Sequence, residues 1–513
     1  MKTMTLRLAG CLLGAWLVSA PAVSAALRVL TSAGEVHGSE VAGIVSFKGI
    51  PYASPPVGPS RWKPPRPSAP WKAAIHATKF RDGCVQWDYE ESRVSGSENC
   101  LFLNVWAPKG DKTRLPVMVW LHGGSFVIGS ATQPPFWGDS LARRGVIVVT
   151  LGYRLGVLGF LATDELCGET GQVGCGNYGL LDMIAALEWI QENISNFGGD
   201  RHRVTLFGQS AGSQAISVLM AVPKARGLFH RAIGQSGAFF GPMDTPYGLS
   251  SSMAARRKGG TYLDNQGVKS VAELRPREAA TLLDGQSWQP TIDGTLLTES
   301  PYAVFSKQKQ AKIPLLIGYN SDEGVTFLHD APSAEVFTAN ARRQLGPRAP
   351  EFLSLYPAST DIQAEQSQRR FIRDSSFGLE VWTWARLHAR ARQPTFVYYF
   401  DHSPPAYPSS SYRQGIRAIH GGEIPYVFDR LDAYAPWNWT TGDRQLANLI
   451  ALYWTNFAKS GDPNDIGLTA WPSYHEQLEP VMHFTESAVL GELPDKASLM
   501  FLDSLLSPLR TRN

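Results

Sequence analysis

The stretch Arg203–Ser213 has the sequence RVTLFGQSAGS, and the interpretation of the whole chain starts from it. An apolar run, Val204–Phe207, precedes the motif G-x-S-x-G, and a helical pattern follows the motif. Gly208 and Gly212 lack a Cβ, so they let a strand and a helix approach closely while the serine between them is held in a strained conformation. This context predicts that Ser210 is a catalytic nucleophile rather than an ordinary turn serine.

Similar apolar runs recur along the chain and alternate with helical patterns. They are Val117–Leu121, Val146–Leu151, Val204–Phe207, Ile313–Ile317 and Phe396–Phe400. Continuous apolar strands that alternate with helices predict an α/β fold, with a mostly parallel sheet covered by helices on both faces. In such a sheet the chemistry lies in the loops that leave the carboxyl ends of the strands.

A serine hydroxyl is a weak nucleophile near neutral pH, so it needs a base that is itself oriented by an acid. In enzymes with this kind of serine turn, the acid and then the histidine follow the serine along the chain. Two acids, Asp322 and Glu323, come after the fourth apolar run, and two histidines, His402 and His420, come after the fifth. Position alone leaves both choices open.

The oxyanion that forms during acyl transfer needs hydrogen-bond donors. The run Val117–Leu121 ends in HGGSF, residues 122–126, whose small residues let backbone N–H groups point at a bound carbonyl oxygen. The N–H of Ala211, directly after the serine, is expected to supply another donor.

The first 25 residues, MKTMTLRLAGCLLGAWLVSAPAVSA, have the pattern of a signal peptide, with a basic start, an apolar run and small residues before a cleavage site. We expect cleavage after Ala25, export to the periplasm or the extracellular medium, and a single domain over residues 26–513. The apolar run of roughly a dozen residues is too short for a helix to span about 30 Å of hydrocarbon, so no stable membrane anchor is expected. LAGC at residues 8–11 resembles a lipoprotein processing box, but it precedes most of the apolar run, which favours a chance match.

Four cysteines remain after the signal peptide, and they fall into two sequence-local pairs. An even number of cysteines in an exported chain predicts two disulfides, Cys84 with Cys100 and Cys167 with Cys175. Closing the first loop stabilises the fold by about 3 kcal/mol on the chain-entropy estimate. A four-thiolate metal site is the alternative, but the chain has no C-x-x-C pair, so no metal is expected.

The composition, 43% hydrophobic and 18% charged over 513 residues, is typical of a globular chain with a large core. The formal charge of +3 includes Lys2 and Arg7 of the signal peptide, so the mature chain is close to neutral and nothing indicates a nucleic-acid partner. A proline-rich segment, Gly49–Trp71, contains Tyr52 and two tryptophans, which predicts an ordered surface loop rather than a solvated linker.

Ten stretches of the sequence resemble the type-B carboxylesterases, a family of bacterial p-nitrobenzyl-type esterases, animal carboxylesterases, some fungal lipases and cholinesterases. They are FKGIPYA from Phe47, SENCLFLNVW from Ser97, GYRLGVLGFL from Gly152, GNYGLLD from Gly176, ENISNFGGD from Glu192, GQSAGS from Gly208, RGLFHRAI from Arg226, IGYNSDEG from Ile317, HGGEIPYVF from His420 and YWTNFAKSGDPN from Tyr453. Together they cover nearly the whole mature chain.

The resemblance implies an α/β-hydrolase fold and ester hydrolysis through an acyl-enzyme, without a metal or an organic cofactor. In the family's DEG motif the second acid belongs to the triad, which implies Glu323. The histidine before G-x-E is the base, which implies His420. The triad with Ser210 is then complete.

The resemblance also assigns the oxyanion donors to the backbone N–H groups of Gly124 and Ser125, joined by Ala211. The family usually has glycine or alanine in place of Ser125. Its N–H is retained, and its hydroxyl is able to donate to the substrate or to narrow the pocket.

Gln209 departs from the family, which usually has glutamate before the nucleophile. In cholinesterases that carboxylate and a tryptophan late in the first disulfide loop favour a quaternary ammonium group. Here the loop Cys84–Cys100 has Trp87 near its start and no late tryptophan. We therefore predict that Gln209 lies in the substrate pocket, that choline esters are poor substrates, and that small to medium neutral esters are preferred. The alternative is a hydrogen-bonding replacement with little effect on specificity.

Two other functions are compatible with the fold that the resemblance implies. One is a lipase acting on longer acyl chains, although no amphipathic stretch is distinctive enough for a lid. The other is a binding or adhesion protein without catalysis. Such members typically lose a triad residue, whereas Ser210, Glu323 and His420 are all present.

Overall fold

A computed structural model of the chain describes residues 27–89, 91–110, 113–170, 175–245, 248–405, 417–433 and 437–510, so the predicted signal peptide lies outside the described residues. The strands are β1 Leu27–Thr31, β2 Gly34–Val41, β3 Ile44–Pro51, β4 Ile75–His76, β5 Gln86–Asp88, β6 Arg93–Ser95, β7 Phe102–Pro108, β8 Leu115–Leu121, β9 Ile147–Leu151, β10 Gly199–Gln209, β11 Arg231–Gln235, β12 Ser250–Ser251, β13 Thr291–Ile292, β14 Leu315–Asn320, β15 Thr395–Phe400, β16 Val481–Phe484 and β17 Ala488–Gly491.

The α-helices alternate with these strands. They are α1 Asp139–Ala142, α2 Gly156–Phe160, α3 Asp164–Thr170, α4 Tyr178–Asn193, α5 Ala211–Ala221, α6 Ser252–Asn265, α7 Val271–Leu274, α8 Pro301–Ser306, α9 Gly324–Phe327, α10 Ala334–Leu345, α11 Ala349–Leu355, α12 Asp361–Arg373, α13 Leu379–Arg390, α14 Ile424–Val427, α15 Thr441–Ser460 and α16 Lys496–Arg510. Within the described ranges, none of them combines the length and the apolarity needed to span a bilayer.

One large sheet organises the molecule, with the strand order β1-β2-β3-β7-β9-β8-β10-β11-β14-β15-β16-β17. Pairing is parallel from β9 through β16 and antiparallel at both flanks. The five apolar runs of the sequence overlap the parallel central strands β8, β9, β10, β14 and β15, although Val146 precedes β9 and Ile313 and Pro314 precede β14. The α/β class and the mostly parallel sheet are therefore confirmed.

The two faces of the sheet have separate cores because successive strand residues point to opposite sides. In β8, Val119 and Leu121 belong to the core that also contains residues of α4 and α5, while Trp120 belongs to the core that α15 covers. Burying a large aliphatic side chain contributes about 1.5–3 kcal/mol. Both faces are thus closed, and the loops at the carboxyl ends of the parallel strands meet at one edge.

The proline-rich segment is an ordered part of the domain, as the sequence predicts. The Tyr52 hydroxyl donates to the Gly152 carbonyl at 2.7 Å, and the Trp62 indole N–H donates to the Val157 carbonyl at 2.9 Å. Trp62 is fully buried. A flexible linker would leave these aromatic side chains in water.

Two disulfides join Cys84 to Cys100 and Cys167 to Cys175, as the sequence predicts. The first encloses the antiparallel hairpin of β5 and β6, which the sequence analysis does not predict because both strands are only three residues long. The disulfide fixes the base of this hairpin.

Candidate active site

Ser210 lies at the sharp turn between β10 and α5, with φ 56° and ψ −124°. A positive φ is strained for a residue with a Cβ and marks positions where the surrounding structure enforces the conformation. A Cβ on Gly212 would lie 2.0 Å from the Leu121 carbonyl oxygen, and one on Gly208 would lie 2.8 Å from the same atom. Both glycines are therefore required for the approach of α5 to β8, which holds the serine at the edge of the sheet.

Glu323 and His420 come together at the carboxyl ends of β14 and β15. Glu323 Oε2 accepts a hydrogen bond from His420 Nδ1–H at 2.6 Å, and Glu323 Oε1 accepts one from the Asn320 N–H at 2.8 Å. The Glu323 side chain is fully buried, and His420 is 11% exposed. A buried carboxylate thus binds the imidazole through Nδ1 and does not use Nε2.

The two alternative residues have other partners. Asp322 accepts the backbone N–H of Arg417 at 2.7 Å, and His402 Nε2 lies 2.7 Å from Asp443 Oδ1. Asp322 is therefore not paired with His420, and His402 is not paired with Glu323.

A second buried carboxylate, Glu423, lies beside the Glu323–His420 pair. Asn320 Nδ2–H donates to one of its oxygens at 2.6 Å, and Gln235 Nε2–H donates to the other at 3.0 Å. Burial, followed by the negative charge of Glu323, raises the pKa of Glu423, and the two amide hydrogen bonds oppose that shift. No local pattern in the sequence assigns a role to Glu423, because its partners come from distant strands.

Two phenylalanines flank the His420 ring. The ring centroids of Phe327 and Phe377 lie 5.0 and 4.9 Å from that of His420. Phe377 belongs to a π-helical turn, Asp374–Gly378, between α12 and α13. Such turns are uncommon and often occur at functional sites. No local pattern in the sequence distinguishes this turn from an ordinary helix.

The loop after β8 contributes backbone donors on the other side of the serine. Gly124 has φ 103° and Ser125 has φ 54°. Within the described part of the chain, their N–H groups have no hydrogen-bond acceptor. The N–H of Ala211, the first residue of α5, has no intrahelical partner and lies at the positive end of the helix dipole. These three groups are able to bind an anionic oxygen.

His122 packs within this loop and is not positioned to act as the catalytic base. Its ring stacks on Tyr153 at 4.4 Å, and its Nδ1–H donates to the Gly123 carbonyl at 2.9 Å. Burial lowers the pKa of His122 to about 4, so the ring is neutral at pH 7.

A cavity of about 390 Å³ opens from the hairpin of β5 and β6 towards the loop after β8. Its lining includes Trp87, Asp88, Gly124 and Gln209. Gln209 is 5% exposed, and its side-chain nitrogen lies 3.1 Å from His420 Nε2. The residue before Ser210 therefore lines the cavity and contacts the histidine, a partner that no sequence pattern predicts.

Comparisons with known proteins identify the family to which the chain belongs. The carboxylesterase family matches residues 25–502. Fumonisin B1 esterase of Sphingopyxis macrogoltabida is 36% identical over 482 residues, which cover 90% of this chain and 87% of that protein. Para-nitrobenzyl esterase of Bacillus subtilis (strain 168) is 37% identical over 494 residues, 91% of this chain and 96% of that protein.

A solved PNB esterase structure has a TM-score of 0.81 with this chain at 34% identity, and the match covers 93% of this chain and 99% of the PNB esterase. The resemblance drawn from the sequence motifs and the α/β-hydrolase fold are thereby confirmed. The chain belongs to the carboxylesterase family and is a carboxylic ester hydrolase.

Proposed function

We propose that this esterase is an exported serine hydrolase that cleaves small to medium neutral esters through an acyl-enzyme. The observation that carries the proposal is the buried Glu323 carboxylate bound to His420 Nδ1 at 2.6 Å, beside the strained turn of Ser210. Ser210 is the nucleophile, His420 the general base and acid, and Glu323 the group that orients the imidazole.

In the acylation step, Ser210 Oγ forms a bond to the ester carbonyl carbon and its proton moves to His420 Nε2. The carbonyl oxygen becomes an oxyanion that the N–H groups of Gly124, Ser125 and Ala211 stabilise. The C–O bond to the alcohol then breaks, and His420 returns the proton to the departing alkoxide. Glu323 stabilises the transient imidazolium.

Deacylation repeats these transfers with water. His420 Nε2 removes a proton from water, the resulting oxygen attacks the acyl carbon, and the bond to Ser210 Oγ breaks as Oγ takes the proton back. The acid product leaves and the resting enzyme is restored.

The cavity supports a preference for neutral substrates of moderate size. Its volume of about 390 Å³ is near the lower end of the range for small-molecule sites. In its lining Gln209 presents a neutral amide where the family usually has a carboxylate. Choline esters are therefore expected to be poor substrates.

Export is supported by the signal-peptide pattern and by the two disulfides, which persist in oxidising compartments. Cell fractionation and N-terminal sequencing test it. Mature protein outside the cytoplasm that begins at Ala26 is the expected result, and full-length protein in the cytoplasm contradicts it.

The function is tested by kcat/KM for p-nitrophenyl acetate, butyrate, octanoate and palmitate, with the wild type and Ser210→Ala. We expect an optimum at the short or medium chains that Ser210→Ala abolishes, apart from a residual rate about 10³- to 10⁴-fold above water. A palmitate optimum favours a lipase instead.

An organophosphonate separates catalysis from binding alone. Stoichiometric labelling of the wild type and none of Ser210→Ala supports the serine mechanism. Folded wild-type protein that stays unlabelled contradicts it and favours a non-catalytic binding protein.

A further inference from the structure

The contact between Glu323 and His420 fixes where the imidazole carries its proton. An ionised carboxylate only accepts hydrogen bonds, so His420 Nδ1, 2.6 Å from Glu323 Oε2, is the protonated nitrogen. In the neutral ring Nε2 then has a lone pair and no hydrogen. That lone pair is the one that takes the proton of Ser210 in the proposed mechanism.

Gln209 occupies this lone pair. Its side-chain nitrogen lies 3.1 Å from His420 Nε2, and only its amide N–H is able to complement an unprotonated nitrogen. Within the described residues, no hydrogen bond joins Ser210 Oγ to His420; the Ser210 contacts are the backbone bonds to Gln235 and Gln214. The amide of the neighbouring residue thus takes the place of the nucleophile.

The amide is also held between two loops. If Gly123 carried a Cβ, that atom would lie 3.0 Å from the Gln209 amide oxygen. A Cβ on Gly421 would lie 3.7 Å from the amide nitrogen. Gln209 is 5% exposed, so an amide group that lost its partner here would not be compensated by water. The Gln209 amide therefore lies between the donor loop after β8 and the histidine loop.

We propose that Gln209 is a positioning residue that holds His420 neutral and oriented in the ligand-free enzyme, and that releases Nε2 when substrate enters. The proposal rests on the proposed function. A glutamate at this position would only accept hydrogen bonds, so it would favour the imidazolium form of His420. With the glutamine N–H donor at Nε2, activity is expected to persist to lower pH than with glutamate.

The test is the pH profile of kcat/KM between pH 5 and 9, measured with neutral p-nitrophenyl butyrate. Gln209→Glu is expected to move the acidic limb upward by about one pH unit or more, because an opposite charge within about 4–6 Å favours the charged imidazole. Gln133→Glu is the matched control. Gln133 is exposed and lines the same cavity, so the substitution Gln133→Glu adds the same negative charge without a contact to His420.

A second variant removes the donor without adding charge. Gln209→Met has a similar size and frees Nε2, so we expect faster phosphonylation of Ser210 on the pH plateau, by about fivefold for one hydrogen bond. A purely structural role predicts slower labelling instead.

A readout that does not depend on activity is the NMR titration of His420 in ¹³C-histidine-labelled Ser210→Ala protein. Adding Gln209→Glu should raise the His420 midpoint, while adding Gln133→Glu should leave it almost unchanged. Equal midpoints with and without Gln209→Glu overturn the proposal even if the enzyme is a serine esterase. Lack of phosphonate labelling in the wild type overturns the serine mechanism, and the titration still decides the role of Gln209.

Discussion

Among the histidine–carboxylate pairs of the described residues, the two shortest have almost the same length but differ in geometry. His420 Nδ1 lies 2.6 Å from Glu323, and His402 Nε2 lies 2.7 Å from Asp443. The pairs differ in which ring nitrogen is bound. In the first pair the carboxylate binds Nδ1, and Nε2 lies 3.1 Å from the Gln209 amide nitrogen, whereas in the second pair Nε2 itself is held by the carboxylate.

The surroundings of the second acid explain the difference. Asp443 also accepts the Tyr426 hydroxyl and the Thr440 N–H, each at 2.8 Å, and it forms the capping box at the start of α15. Its hydrogen-bonding capacity is used to fix a helix end. A short histidine–carboxylate distance is therefore insufficient evidence for a catalytic base. The ring nitrogen that the carboxylate leaves unbound, and the groups around that nitrogen, are the better criterion.

Replacing each of the two histidines in turn tests which pair supports catalysis. His420→Gln is expected to lower kcat/KM for p-nitrophenyl butyrate on the order of 10⁵-fold, because a nucleophile without its base loses nearly the whole triad contribution. The matched variant His402→Gln is expected to retain most activity. Equal losses in two folded variants would show that the free nitrogen is the wrong criterion.

The neighbouring acids Asp322 and Glu323 also differ in their partners, and the same kind of paired substitution tests them. Glu323→Gln is expected to lower kcat by about 10⁴-fold, because an amide in this position favours the wrong imidazole tautomer. Asp322→Asn is the control, since the hydrogen bond that the Asp322 side chain accepts within the described residues comes from the Arg417 N–H. Steady-state kinetics measures kcat of both variants, and circular dichroism shows whether each is folded. A low kcat in a folded Glu323→Gln protein indicates the wrong tautomer and not unfolding.

The structural pair should respond in stability and not in rate. Asp443→Asn replaces two acceptor oxygens by one, so a donor among His402, Tyr426 and Thr440 loses its partner. We expect the free energy of unfolding to fall by about 1–3 kcal/mol while kcat stays nearly constant. Urea denaturation measures the first quantity. A large loss of kcat at unchanged stability would place Asp443 in catalysis.

The smallest effect concerns Glu380, a buried acid without a histidine partner. Its Oε2 accepts the Phe240 N–H at 2.5 Å, and burial raises its pKa to about 7 although the charge of Arg510 opposes the shift. Because its ordinary pKa is 4.5, the folded state binds more protons than the unfolded state between these values.

Stability linked to Glu380 is therefore greatest below about pH 4.5 and falls as pH rises towards 7. We expect Glu380→Gln to flatten the decrease in Tm of the wild type between pH 5 and 7.5, measured by differential scanning fluorimetry. Parallel Tm curves for the two proteins would contradict this assignment.

Much of the fold could be predicted because its signals are local. The five apolar runs became the parallel centre of the sheet, since a strand buried on both faces must be apolar throughout. The paired cysteines are close in sequence, so their disulfides could be predicted as well. The hairpin of β5 and β6 and the π-helical turn at Asp374–Gly378 could not, because only packing against the rest of the molecule stabilises such short elements.

The candidate site divides in the same way. The sequence by itself determined the strand, turn and helix around Ser210, since apolar residues and two glycines specify that geometry over eleven residues. It also determined which acids and histidines follow the relevant strands. The α/β class and the family followed from such local patterns.

The tertiary structure determines which of these acids, histidines and amides contact one another. Glu323 and His420 are 97 residues apart, and Gln209 and His420 are 211 residues apart. Their contacts depend on the parallel register of β10, β11, β14 and β15 and on the paths of the loops beyond them. Hydrogen bonds act only over about 3 Å, so a pattern along the chain cannot specify partners that long-range packing brings together.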